Sequence, residues 1–210
     1  MEDKQLMEAI SDSLHFGSEI SKSHNKFDKI DKDLSILNLT DLTGLKLGGG
    51  IYVISIDTAN ISGCLLNCLK DNKNTNNVIY IGRAKKLKER LKKVILGHDI
   101  GGGPSIFFRK LGSFLGYKCS ENRCKSKNKY TRNYEFDGMD LTVIRKWIFK
   151  NLRVKVFYTD QSYFNDIYRE KVLIQHFKPP FNKQHSIVCD EVESKHLANL
   201  NLWQKYYTDK

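Results

Sequence analysis

Gly50-Ile51-Tyr52-Val53-Ile54-Ser55-Ile56 and Val78-Ile79-Tyr80-Ile81-Gly82-Arg83, the latter running straight into Ala84-Lys85-Lys86-Leu87-Lys88-Glu89-Arg90-Leu91-Lys92-Lys93-Val94-Ile95, decide the fold of this chain. The first two runs are β-branched and aromatic, and Gly and Asn mark their ends, which predicts two strands. The third is helical. At about 100° per residue, Leu87, Leu91, Val94 and Ile95 form one apolar stripe while Lys88, Lys92 and Lys93 turn outward. Arg90 stands at the edge of that stripe. An arginine there lays its stem against the core and aims its guanidinium into a cleft, as a phosphate ligand does; a rim arginine paired with a carboxylate is the alternative.

Outward from this centre, residues 57–76 are polar and too long for a tight hairpin, and read as an exposed excursion. Residues 1–47 read as an appended segment: a helix to about Ile20, a Ser/Lys/Asp-rich connection, and a leucine-rich lead-in from Leu34 to Leu47 that packs on the core. After the joint at Gly101-Gly102-Gly103, Pro104 opens a helix over 105–116 that buries aromatics and presents Arg109 and Lys110. Residues 117–134 interleave basic side chains with Tyr117, Tyr130 and Tyr134, a mixture that suits nucleic acid and equally suits a solvated loop. A helix over 139–150, a strand over 152–158 and a helix over 161–177 follow. In the last of these, Glu170 projects from a cluster of Tyr163, Phe164, Ile174 and Phe177, where a carboxylate needs a basic partner or a divalent metal. Pro179-Pro180 stops this helix, and Asn182 sits beyond the turn, where its amide can brace a neighbouring group. The tail, 185–210, has helical apolar spacing and reads as packing on the body, with a dimer surface as the alternative.

The 210 residues suit one domain with terminal additions. Lys and Arg number 35 against 24 Asp and Glu, a net charge of +11, which favours a polyanionic partner, nucleic acid ahead of an anionic membrane surface. No apolar run approaches the roughly 20 residues of a membrane span, and the N-terminus is charged and polar, so a soluble intracellular protein is expected. The 5 cysteines form no dense framework and read as reduced thiols. A zinc site from Cys64, Cys68, Cys119 and Cys124 is the alternative, but the spacing fits a zinc ribbon only loosely.

Gly50-Ile51-Tyr52 followed by Tyr80-Ile81-Gly82 resembles the two name-giving motifs of the GIY-YIG nucleases. Arg90 one helix onward, Glu170 on a later helix, and Asn182 after Pro179-Pro180-Phe181 match that family in order. The resemblance covers about 48–184 and implies an α/β fold in which a central three-stranded antiparallel sheet, flanked by helices, carries the site on one face. It implies an endonuclease whose Glu170 holds one Mg²⁺ or Mn²⁺, whose Arg90 binds the scissile phosphate, and whose Tyr52 serves or assists as general base. Tyr80 would orient phosphate or water, and Asn182 would support the site. Where many members carry His or Tyr one turn after the arginine, this chain has Val94; His98, one turn later, is the substitute position.

Phosphodiester hydrolysis needs an activated water, charge neutralisation on the non-bridging oxygens, and help for the departing oxygen. Two tyrosines, one arginine and one carboxylate match a single-metal enzyme, since no acidic cluster offers a two-metal site. DNA is the expected partner, contacted by Arg83, Lys85, Lys86, Arg109 and Lys110, in a restriction-type enzyme for which monomer and homodimer both stay open. A nuclease for branched DNA, repair or mobile elements is one alternative. A catalytically silent nucleic-acid-binding module on the same fold is the other.

Overall fold

Alternation along Gly49–Ile56 sends Tyr52, Ile54 and Ile56 to one side of a strand and Ile51 and Val53 to the other, and each side finds its own apolar cover. A computed structural model describes residues 35–37, 45, 47–57, 63–71, 77–97, 104–121, 134–159, 163–182 and 189–208. Its strands are β1 (Ser35–Leu37), β2 (Gly49–Ile56), β3 (Val78–Ala84) and β4 (Leu152–Thr159), paired antiparallel in the order β1-β4-β2-β3. The three strands expected from the sequence are the core of this sheet. To them β1 adds an edge, drawn from the leucine-rich lead-in; at three residues it is too short to show an alternation of its own.

Six helices complete the described fold: α1 (Gly63–Asp71), α2 (Leu87–Leu96), α3 (Ile106–Phe114), α4 (Gly138–Asn151), α5 (Tyr163–Phe177) and α6 (Asp190–Thr208). The first face of the sheet, with Tyr52, Ile54, Tyr80, Val154 and Val156, is buried under side chains of α1 to α4. The second face, with Ile51, Val78 and Ile81, is covered by Ile174 and Phe177 of α5. A bulge in β3 opposite Ile54 and Ser55 turns both Ile79 and Tyr80 toward the first face. The helix stripe of Leu87, Leu91, Val94 and Ile95 is buried as its spacing predicts. The N-cap of α3 is Ser105, whose hydroxyl accepts from the Phe108 N–H at 3.1 Å.

The expected exposed excursion between β2 and β3 is in part a helix. Leu65 and Leu69, one turn apart in α1, are buried in the core, and this single apolar pair was masked by the Asn/Lys-rich run that follows. The N-terminal helix expected before Ile20, residues 98–103 with His98, and most of 117–134 lie outside the described residues. Within that last stretch Tyr134 is described and is fully buried, its hydroxyl 2.6 Å from Ser113 Oγ and from His196 Nδ1, so it offers no face to a base.

Arg109 and Lys110 also differ from expectation. Both point into the interface of α3 with α6 and its neighbours. The Arg109 guanidinium donates to the Pro104 carbonyl at 3.0 Å and lies over the Tyr134 ring, and burial lowers its pKa. Lys110 is 1 % exposed and forms an ion pair with Glu193 of α6 at 2.6 Å. Neither reaches a phosphate backbone. Replacing Lys110 with Ala leaves Glu193 without its cation, and urea denaturation should show a loss of roughly 3 kcal/mol. The salt dependence of nucleic-acid binding should stay unchanged, since Lys110 makes no phosphate contact.

Candidate active site

Tyr52 and Tyr80 converge because their strands are neighbours. Tyr52 lies opposite Gly82 in the β2–β3 register, and Tyr80 stands two residues before that glycine. Their rings are 6.1 Å apart, and Tyr80 stacks obliquely on Phe107 of α3 at 4.8 Å. Tyr52 lies directly over Gly82, where a Cβ would collide with its hydroxyl and ring. The glycine of the second motif is therefore the seat of the tyrosine of the first. At Gly50, with φ +155, a side chain would strike the backbone of Phe157.

Arg90 reaches this pair from α2. The start of that helix is tied to the first motif by a hydrogen bond from the Leu87 N–H to the Gly48 carbonyl at 2.9 Å. Arg90 Nε donates to Tyr52 Oη at 3.2 Å, and the guanidinium also interacts with Tyr80. Burial pushes the pKa of both phenols up, while Arg90 pulls against the rise. Burial likewise opposes the charge on Arg90, but the two phenol oxygens outweigh it and hold the guanidinium above its ordinary value. Near neutral pH the cluster is two neutral phenols around a fixed cation.

Glu170 comes from the opposite side. Ile174, one turn later in α5, packs on the second face, and Arg83, paired with Ile51 in the register, points to that same face. Arg83 Nε donates to Glu170 Oε2 at 2.6 Å, and both side chains are 22 % exposed. Glu170 also acts electrostatically on Tyr80, and Arg90 acts on Glu170. The site thus draws on helices from both faces and closes around β3, which is the outermost strand. The expectation of a site on one sheet face is corrected by this arrangement.

Asn182 explains how an outermost strand holds such a site. Its Oδ1 accepts from the Ile81 N–H at 2.9 Å and its Nδ2 donates to the Ile81 carbonyl at 2.8 Å, so one side chain does the hydrogen bonding of a strand residue. The Phe181 N–H bonds to the Ile79 carbonyl at 3.1 Å. Phe181 then carries its ring round to the first face, edge-on to Phe107 and Phe114. Ile81, between Tyr80 and Gly82, is fixed on both polar groups. Phe181 escaped the sequence reading because an apolar residue beside Asn182 gave no sign of which core it enters.

Of the residues expected to act together, Tyr52, Tyr80, Arg90, Glu170 and Asn182 gather at β3. Lys85 and Lys86 are exposed just beyond it, at the start of α2. Arg83, expected to contact nucleic acid, is held by Glu170 in this structure; the alternation after Gly82 is the signal that turns it toward α5. Val94 is buried in the apolar stripe and has no catalytic access. Cys68, Cys119 and Cys189 form no disulfide, while Cys124 and the Cys64 side chain fall outside the described residues.

The donor set fits one hard cation. Among the described residues no three His, Cys, Asp or Glu gather as a metal cluster, so Glu170 would be the single protein carboxylate, with water and phosphate oxygens completing the shell. Burial raises the pKa of Glu170 even though Arg83 and Arg90 pull it down. Its charge is therefore under-compensated, and an added cation would meet that need.

The family described as the GIY-YIG catalytic domain matches residues 50–202, a span that runs from the first glycine of the first motif into α6. Neither the curated proteins nor the solved structures give a match.

Two outcomes follow from this geometry. Gly82→Ala should cost about 1–3 kcal/mol in urea denaturation through overpacking, and should cut the initial cleavage rate much further by moving Tyr52 off Arg90. Glu170→Gln should gain stability over the wild type as pH rises from about 4 to 7. At the lower end the carboxyl is protonated in both folded and unfolded chains, and above it the raised folded pKa makes ionisation a cost that only the wild type bears. Thermal melts across that range measure the difference.

Proposed function

Because the chain belongs to the GIY-YIG nucleases and is an endonuclease, we propose that it cuts DNA by metal-dependent hydrolysis at the β3 edge, as a sequence-specific, restriction-type enzyme. The observation that carries this reading is the Tyr52–Arg90–Tyr80 cluster with Glu170 in electrostatic contact with it. A fixed cation between two neutral phenols, beside one under-compensated carboxylate, suits a phosphodiester better than it suits a neutral substrate.

In this mechanism Arg90 binds the scissile phosphate and absorbs charge on a non-bridging oxygen as the pentacoordinate transition state forms. Its guanidinium is already oriented by Tyr52, so little is spent on reorganisation at the moment of reaction. Tyr80 orients the phosphate or the attacking water by hydrogen bonding. Tyr52 assists at that water through its Oη as an orienting hydrogen-bond group; burial keeps the phenol protonated, and Arg90 pulls its pKa down only in part. Glu170 would hold Mg²⁺ or Mn²⁺, which when bound supplies Lewis-acid stabilisation of the departing 3′ oxygen. Asn182 keeps Tyr80 and Gly82 in register. Lys85 and Lys86 extend positive charge along the flanking backbone.

The nuclease unit is 48–184, with the extension 1–47 and the tail 185–210 serving stability. One site of this kind cuts one strand, so a double-strand break calls for two copies, and a homodimer is the form proposed.

Purified protein incubated with supercoiled plasmid should give discrete fragments in Mg²⁺ or Mn²⁺ and none in chelator. Glu170→Ala and Arg90→Ala should each lower the rate by about 10² or more. Cutting of branched DNA alone would replace restriction with junction processing, and binding without any cleavage would contradict the proposal.

A further inference from the structure

The Arg83–Glu170 pair occupies the carboxylate on which the proposed chemistry depends. Its N to O separation is 2.6 Å, as short as that of the Lys110–Glu193 pair, but the cation differs in setting: Lys110 is 1 % exposed, whereas Arg83 and Glu170 are each 22 % exposed and reachable by solvent. Arg83 is anchored where its backbone cannot drift, since it pairs with Ile51 and follows the Ile81-Gly82 segment braced by Asn182. A divalent cation on the Glu170 carboxylate would compete with the Arg83 guanidinium, because the two positive charges repel at this short range and both draw on the same carboxylate.

We infer that Arg83 is a displaceable occupant of the metal-binding carboxylate, which a divalent cation ejects, and that the freed guanidinium then grips a phosphate of the nucleic acid beside Arg90. This rests on the reading of Glu170 as the metal-holding residue. Arg83 is a positioning residue in the metal-free protein, and becomes a phosphate ligand in the loaded one. The exchange ties cation loading to substrate grip, so that full affinity for the backbone appears only once the catalytic cation is in place. Guanidinium suits the second task because its fork matches phosphate oxygens.

Mn²⁺ binding, read from the electron paramagnetic resonance signal of the free ion, tests this on wild type, Arg83→Gln, Arg83→Lys and Glu170→Gln, each first checked by thermal melt. Removing the competitor should tighten Mn²⁺ binding by Arg83→Gln about fivefold. Arg83→Lys should fall between it and the wild type, and carries the test if Arg83→Gln does not fold. With Ca²⁺ present, fluorescence anisotropy on a duplex oligonucleotide should show weaker binding by Arg83→Gln, with the salt slope reduced by about one. Without a divalent ion, Arg83→Gln and wild type should bind that duplex alike. Mn²⁺ affinity unchanged or weakened in Arg83→Gln, with Glu170→Gln losing the ion, would overturn the inference and leave Glu170 as the metal site. Mn²⁺ binding undiminished in Glu170→Gln would overturn both.

Discussion

The outermost strand of this sheet stays in place because an asparagine side chain hydrogen-bonds it as a neighbouring strand would. Among the described residues β3 has β2 on one side and no strand on the other. Asn182 supplies both partners of Ile81, and Phe181 supplies the N–H for Ile79. Outermost strands carry unpaired polar groups that fray or pair with other chains. Here that liability is removed at the residue between Tyr80 and Gly82, so the strand is stiffest where the candidate site needs it. The wrap also joins the two faces, since α5 lies on one and the Phe181 ring enters the other.

From this constraint the charge arrangement follows. Arg90 arrives from a helix on the first face and Glu170 from a helix on the second, close enough for the guanidinium to pull on the carboxyl. Each has a local partner, Tyr52 for the arginine and Arg83 for the carboxylate. Both charges remain in reach of a ligand at the β3 edge. Burial makes the tyrosines harder to ionise and the carboxylate more in need of a cation, which is the electrostatic condition of a site waiting for a phosphate and a metal.

Much of this was readable in the sequence, for identifiable reasons. The strands β2 and β3 announce themselves by β-branched and aromatic runs, β4 by alternation, and the stripe of α2 by 3.6-residue spacing. The five residues that gather at β3 match the family motifs, with the place of Glu170 within the apolar spacing of α5 as the independent physical cue. What escaped was set by partners distant in sequence. Arg109 and Lys110 looked like surface cations because nothing near them reveals that α6 will supply Glu193 and cover them. The partner of Arg83 was hidden in the same way, because α5 brings Glu170 to it from far along the chain. The short β1 and the two-leucine helix α1 lacked the length for a periodic signal. The place of Gly82 under Tyr52 depends on cross-strand register, which no single strand contains.

The account stands on Tyr52, Tyr80, Arg90 and Glu170 forming one centre across two faces of a sheet. A crystal of the protein soaked in Mn²⁺, with anomalous diffraction recorded at the manganese edge, tests that most directly. A single peak on the Glu170 carboxylate, with Arg83 moved aside and Arg90 and Tyr80 facing the ion's water shell, is the predicted result. A peak at some other carboxylate, or none at Glu170 at saturating Mn²⁺, would contradict it.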